Sequence, residues 1–314
     1  MKAKGIVLYF HQEEDRRQFE RIILTLKRKY RLLSLPQLEK LLQSNADLSG
    51  TCHVSFDDGD HSFYRVVFPV LQKHQVPVSL FLSPIMLAPS ANFWFRELED
   101  YDEPVMKEII AEQFGITGLK LKPFSIATIF KCFPFAIIEE LIAAYQHRMK
   151  IVPKPSLNMS GDEVLEVERS GLVTIGAHTL HHPILQNEDE AGSLAEIKGS
   201  LLGLSQLLGH PVHYFAYPNG IPRIDFGERE KKVLRDNGVT MAFSTELDHV
   251  KPGVDLLSIP RMGFPRMGLA PENPLIYIRL GLGKKWVDIR SLGGTSREKV
   301  RERIRDLLDG KWKG

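Results

Sequence analysis

Between Cys52 and Leu82 the chain spells out a complete strand–helix–strand unit, and this restricts the fold more than any other feature of the sequence. Cys52–Phe56 is a short β-prone run that stops abruptly at Asp57-Asp58-Gly59-Asp60. His61–His74 follows with Val66, Val67, Val70 and Leu71 in helical register, and Val76–Leu82 is a second apolar run ending at Ser83-Pro84. Two strands joined through a helix pair in parallel, and a parallel sheet needs helices over its faces because its strands are buried on both sides. The fold class that follows is α/β.

The same alternation runs through most of the chain. Ile6–Phe10 reads as a first strand, Glu13–Tyr30 as a helix with Phe19, Ile22, Ile23 and Leu26 on one face, and Leu35–Leu42 as a helix opened by Pro36. Later, Gly161–Arg169 and Leu194–Leu208 read as helices, and Glu228–Asn237 as one closed by Gly238. Leu172–Gly176, Val212–Ala216, Val239–Ser244 and Leu256–Ile259 read as strands. Residues 93–149 break the rhythm with aromatic, helical sequence and no strand pattern, which predicts an inserted helical subdomain spanning about 93–160. Ser296–Leu308 reads as a charged amphipathic helix on the outside, within a C-terminal extension over about 265–314. One catalytic domain covering all 314 residues accommodates these elements, since a single α/β barrel reaches this size.

Composition narrows the function by exclusion. Lys and Arg number 41 against 39 Asp and Glu, so no global field favours nucleic acid or an anionic membrane. The only cysteines, Cys52 and Cys132, lie far apart, which predicts two buried thiols rather than a disulfide framework or thiolate zinc site. No run approaches the ~18–20 apolar residues of a membrane span, and the amino terminus reads as a strand rather than a signal peptide, so a cytoplasmic location is expected.

The polar chemistry collects where the strands end. In parallel α/β folds these ends share one face, where such enzymes place their sites. VSFDDGD puts two adjacent carboxylates after one strand, and GAHTLHHP puts His178, His181 and His182 after another. Alone, Asp-Asp-Gly is most often a turn, and clustered histidines are often a solvated loop. Together, after separate buried strands, they form an imidazole and carboxylate set suited to a divalent ion with a position left for water.

These residues resemble the polysaccharide deacetylases of the NodB-like, carbohydrate esterase 4 type, from the first strand to about Phe264 and weakly through the insertion. Ser55-Phe56-Asp57-Asp58-Gly59-Asp60 is similar to the family's (T/S)FDDG, His178-Thr179-Leu180-His181-His182-Pro183 to its H(S/T)xxH, and Phe215-Ala216-Tyr217-Pro218-Asn219-Gly220 to a later motif. The resemblance implies a distorted (β/α)7-type barrel. It implies Asp57 as catalytic base, Asp58, His178 and His182 as ligands of one divalent metal, zinc with cobalt, nickel or manganese as alternatives, and a backbone N–H at Tyr217 as oxyanion donor. His181 is left as a bystander or supporting group.

Two family features are missing. The third motif carries no arginine, and Arg261 in Ile259-Pro260-Arg261 is the candidate to orient the base instead. The usual late Leu-x-x-His is absent, no histidine follows His249, and a permuted branch resembling deacetylases of exported poly-N-acetylglucosamine takes its general acid from a Tyr-His pair on the first strand. Tyr9-Phe10-His11 is similar, one residue out of step, so His11 is the candidate acid.

The implied reaction is removal of an N-acetyl group from a carbohydrate substrate. Alternatives are O-acetyl ester hydrolysis and a non-catalytic carbohydrate-binding protein of the same fold. Trp94, Phe95, Tyr217 and Phe264 are read as core rather than a sugar-stacking floor, with Tyr217 the exception. Lys284, Lys285 and Arg290 near Trp286 are read as a solvated face.

Overall fold

The computed structural model describes residues 4–264, 270–283 and 297–308, apart from Ser90 and Pro153. Lys284, Lys285, Trp286 and Arg290, read above as a solvated face, lie outside the described residues.

Strands β1 (Ile6–Phe10), β2 (Arg31–Leu32), β3 (Thr51–Asp57), β4 (Val78–Leu82), β5 (Val173–Ala177), β6 (Tyr214–Ala216), β7 (Met241–Phe243) and β8 (Met262–Gly263) form one sheet. Its order is β7-β6-β5-β4-β3-β1-β8, with β2 paired to the start of β3. Every ladder is parallel. All carboxyl ends therefore emerge at the same edge of the sheet, and the α/β barrel-type architecture implied by the sequence is borne out.

The period-two alternation of side chains sorts each buried strand into two environments. On β3, Cys52, Val54 and Phe56 face the helices and join the main core with Phe19, Ile22, Ile23 and Leu26 of α1 (Arg16–Lys29). On the inner side of the sheet a second core collects Val7, Phe81, Ala216, Met241, Phe243 and Ile259. The inner residues of β3 are polar: His53, whose Nδ1 donates to Leu33 O at 2.8 Å and whose Nε2 lies 2.8 Å from Ser79 Oγ, then Ser55, then Asp57. Burial holds His53 down near 4, so it is a neutral, hydrogen-bonded core histidine.

The sequence misreads one strand. Leu256–Ile259 forms no ladder, although Ile259 N–H donates to Ala242 O and Ile259 O accepts from Ser244 N–H, a single bridge to β7. Pro260 has no N–H to continue it, and pairing resumes three residues later when Met262 and Gly263 join β1. One segment thus touches both ends of the sheet, and Arg261 lies between its two contacts.

Helices α2 (Leu35–Gln43) and α3 (Phe68–His74) precede β3 and β4, and between β4 and β5 the chain builds α4 (Trp94–Glu97), α5 (Glu103–Phe114), α6 (Ile126–Phe130) and α7 (Phe135–Met149), followed by α8 (Gly161–Arg169). The first four bury their own apolar cluster, which includes Trp94, Ile110, Phe130, Phe133 and Leu141. Helix Arg297–Leu308 adds Ile304 and Leu308 to that cluster. Buried Arg301 of this helix pairs with buried Asp225, and Arg305 Nη2 donates to Asn187 Oδ1 at 2.8 Å. Both cysteines are buried free thiols, as expected.

Gly176 lies inside the sheet two residues before His178, and a Cβ there would sit 2.5 Å from the Phe81 ring and 3.0 Å from Tyr214 O. Gly176→Ala is expected to lower unfolding stability by ~1–3 kcal/mol, as overpacking does. An unchanged denaturant midpoint would show that β4 and β5 are less closely packed than described.

Candidate metal and catalytic centre

β3 delivers Asp57 as its last inward residue, and the chain then turns sharply, with Asp58 at φ 72° and Gly59 at φ 74°. A Cβ on Gly59 would approach Leu82 Cδ2 to 2.3 Å, and with φ at 74° the turn favours glycine. The turn is clamped by the chain returning from the helical insertion: Met159 N–H donates to Gly59 O at 2.8 Å and His61 N–H to Leu157 O at 2.8 Å. Two adjacent carboxylates are thereby sent into different surroundings.

Asp57 enters a fork. Arg261 Nη1 donates to Asp57 Oδ1 at 2.7 Å and Nη2 to Oδ2 at 2.9 Å. Arg261 is fully buried; Nη1 also donates to Ser55 Oγ at 3.1 Å and Nε to Ser244 O at 3.3 Å. The rings of Tyr9, Phe81 and Phe243 pack around the guanidinium at 5.2, 5.3 and 5.8 Å. Burial pushes the Asp57 carboxyl up, but the guanidinium, with His178 second, outweighs it and holds the carboxyl at about 2 against an ordinary 3.8.

Asp58 has no such partner. Its Oδ1 is buried without a hydrogen bond and lies 3.7 Å from both His178 Nε2 and His182 Nε2. Burial raises its carboxyl above the ordinary value, the reverse of its neighbour. One ligand atom from each of Asp58, His178 and His182 falls within 4.8 Å of the others. Donors ~2.0–2.1 Å from a tetrahedral ion stand about 3.4 Å apart, so the cluster is close to the spacing that a zinc-like ion requires. An orphaned carboxylate oxygen facing two imidazole nitrogens fits a divalent cation in its donor chemistry as well.

The two histidines of the cluster are held by hydrogen bonds and backbone geometry. His178 Nδ1 lies 2.6 Å from Ala216 O at the end of β6; the carbonyl can only accept, so Nδ1 carries the proton and Nε2 offers a lone pair toward Asp58. His182 N–H donates to Thr179 Oγ1 at 3.0 Å. Burial, with His178 next, pushes the His182 imidazole well below its ordinary value, which keeps it neutral. Thr179 at φ 64° and His182 at φ 61° adopt the left-handed conformation that non-glycine residues avoid, as Asp58 does. Such strain persists where surrounding contacts over-determine the backbone, and it clusters at working sites. His181 points elsewhere: its Nδ1 lies 2.6 Å from Glu196 Oε1, and Glu196 Oε2 accepts the N–H groups of Leu180 and His181. It supports the loop rather than joining the cluster.

His11, just past β1, comes to the rim of the same site. Its Nε2 stands 4.0 Å from Asp58 Oδ2, its side chain is 49% exposed, and Tyr9 meets it edge-on.

Tyr217 corrects the expectation placed on it. Its N–H is already given to Phe243 O at 3.1 Å. Its ring is buried flat on Phe226, and its hydroxyl donates to Leu257 O at 2.9 Å. Neither N–H nor ring is available to a ligand, so the side chain is core. Pro218 has no N–H, and the next one, Asn219 at φ 55°, has no partner among the described residues. Trp94 is likewise buried, but its indole N–H donates to His182 O at 3.0 Å, a contact with no sequence signal.

The parallel α/β sheet thus carries at its carboxyl edge an Asp-His-His cluster whose donors fit a divalent ion. Residues 133–242 match the family model for polysaccharide deacetylase. No curated protein sequence gives a match. Among solved structures, IcaB from Ammonifex degensii is similar with a TM-score of 0.58 and 20% identity, over 90% of this chain and 98% of that one. The deacetylase PplD of Streptococcus pyogenes, solved with acetate, is similar at 0.58 and 16%, over 88% and 98%. The BpsB deacetylase domain from Bordetella bronchiseptica is similar at 0.54 and 15%, over 83% and 96%. The resemblance drawn from the motifs holds: residues 133–242 are similar in sequence to polysaccharide deacetylase, and the chain has the fold of these solved deacetylases. The match includes His178 and His182 but not Asp57 and Asp58, which the fold brings to them.

The depressed Asp57 carboxyl sets a pH signature. A group whose folded value lies below its unfolded one stabilises the fold above the unfolded value and loses that contribution as pH falls through the folded value. Asp57 is therefore expected to contribute ~2 kcal/mol above about pH 4, vanishing toward pH 2, in proportion to its shift. The stability gap between metal-free wild type and Asp57→Asn should narrow across that window in chemical denaturation; a gap that stays constant from pH 5 to about 2 would contradict the Arg261 pairing.

Proposed function

We propose that this chain is a metal-dependent hydrolase that removes N-acetyl groups from a carbohydrate. The observation that carries the reading is the orphaned Asp58 Oδ1 converging with His178 Nε2 and His182 Nε2, beside a second carboxylate fixed by Arg261. The polysaccharide deacetylase match over residues 133–242 supplies the substrate class.

Asp58, His178 and His182 are the ligands of one divalent ion. Two imidazoles and one carboxylate suit zinc, with cobalt, nickel or manganese able to take the same donors. The chemistry that such an ion supplies is polarisation of the acetyl carbonyl and acidification of the attacking water.

Asp57 accepts the proton as that water adds to the carbonyl carbon. Held near 2, it is a weak base, but it is ionised at any working pH and points one way. Arg261 keeps it so by fixing both carboxylate oxygens. His11, half-exposed beside Asp58, donates a proton to the departing nitrogen as the C–N bond breaks, a transfer for which an imidazole is suited. Acetate and a free amino sugar result. The N–H of Asn219, without a partner among the described residues and on the loop that follows His178's carbonyl partner Ala216, replaces that of Tyr217 as the candidate oxyanion donor.

The test is acetate release from N-acetylated amino-sugar oligosaccharides by protein loaded with zinc or cobalt, beside O-acetylated ones. Asp57→Asn should bind metal yet lose at least ~10²-fold in rate, His11→Ala should lose a similar factor, and Asp58→Ala should lose both metal and activity. Release from the ester substrates only would replace amide with ester hydrolysis. Full activity in Asp57→Asn would remove the base from the mechanism.

A further inference from the structure

The helical insertion is wired into the metal cluster at one point. Trp94 opens α4, is buried, and donates its indole N–H to the main-chain carbonyl of His182 at 3.0 Å. The rings on either side close on the imidazole of the same residue: Phe93 edge-on at 5.6 Å and Phe95 at 5.0 Å. Behind it the indole stacks on Phe130 of the insertion's own core at 6.1 Å. His182 needs this support. Its φ of 61° is strained, and its imidazole Nδ1 is buried without a hydrogen bond, so no second-nitrogen contact orients the ring as Ala216 O orients His178. In most histidine sites that contact fixes the ring.

We infer that Trp94 is a positioning residue for the metal site, holding the His182 backbone in its left-handed conformation while Phe93 and Phe95 fix the plane of the ring. The geometry at His182 then depends on Trp94, 88 positions away in the chain and outside the segment matched to the deacetylase family. Removing the indole N–H leaves a buried carbonyl unsatisfied and frees the backbone to relax toward an unstrained φ, which moves Nε2 away from Asp58.

The inference rests on the assignment of Asp58, His178 and His182 as ligands, and metal binding separates the two. Trp94→Phe keeps a packed ring and deletes the donor. Its apparent Kd for cobalt, measured by competition titration, is expected to rise ~10-fold, the usual order for losing a partner that orients a ligand. The cobalt absorption bands should shift as well. Phe114→Leu, a cavity in the same helical cluster that is stacked on Phe133, serves as the structural control and should lower Tm without moving Kd. If Trp94→Phe binds cobalt like wild type, or if the control weakens binding equally, the positioning role is overturned. Wild type that binds no divalent ion overturns the ligand assignment and the inference together.

A second measurement needs no variant at position 94. The chain has three tryptophans, so the Trp94 indole N–H resonance is assignable by elimination with Trp286→Phe and Trp312→Phe. It should be protected from exchange in the metal-free protein and should shift on adding zinc. Rapid exchange and indifference to zinc would overturn the inference even if Trp94→Phe failed to fold.

Discussion

A guanidinium with no exposure to water is tolerated only when its charge is paired and each of its nitrogens is hydrogen-bonded. Arg261 meets that condition by gathering the barrel mouth around itself: a fork onto Asp57, further bonds to Ser55 and to the carbonyl of Ser244, and rings from β1, β4 and β7 on its faces. Its place on the chain makes this possible, between the bridge of Ile259 to β7 and the pairing of Met262 with β1. The ion pair therefore does two jobs. It ties the segment that touches β7 and β1 to β3, and it orients one carboxylate at the sheet's carboxyl edge.

From that fixed point the rest of the site follows by contrast. Asp57 and Asp58 are neighbours in sequence, yet one is neutralised from within the protein and the other is left with a buried oxygen facing two imidazoles. Burial without a partner is costly for a carboxylate, and a cation is the economical way to relieve it. The strained backbone at Asp58, Thr179 and His182 fits the same account, since all three conformations serve to aim side chains at one point. The hydrogen bond from Trp94 extends that aim into the helical insertion.

Much of this was legible in the sequence because its causes are local. Strand periodicity and abrupt polar endings marked β1, β3, β4 and β5, and the parallel rule predicted that Asp57, Asp58, His178 and His182 would share a face although 120 positions separate Asp58 from His178. Arg261 was legible as the arginine that ends the expected strand Leu256–Ile259, and the structure brings it to Asp57. What was not legible depends on tertiary contacts. The two-residue strands β2 and β8 carry no periodicity, and Leu256–Ile259 looked like a strand because a proline's missing donor acts only once a partner strand is known. Tyr217 failed because nothing in FAYPNG tells whether its N–H is spent on β7. Trp94 looked like any other core aromatic, and only the position of the His182 carbonyl gives its N–H a role.

We propose that an ion belongs between Asp58, His178 and His182 while Asp57 stays in the grip of Arg261. Anomalous diffraction at the zinc edge from crystals grown with zinc tests it most directly. The expected result is a single strong peak ~2.0–2.2 Å from Asp58 Oδ1 and both Nε2 atoms, with the Arg261 fork intact. No peak at that position, or one at which Asp57 has left Arg261 to become a ligand, would contradict it.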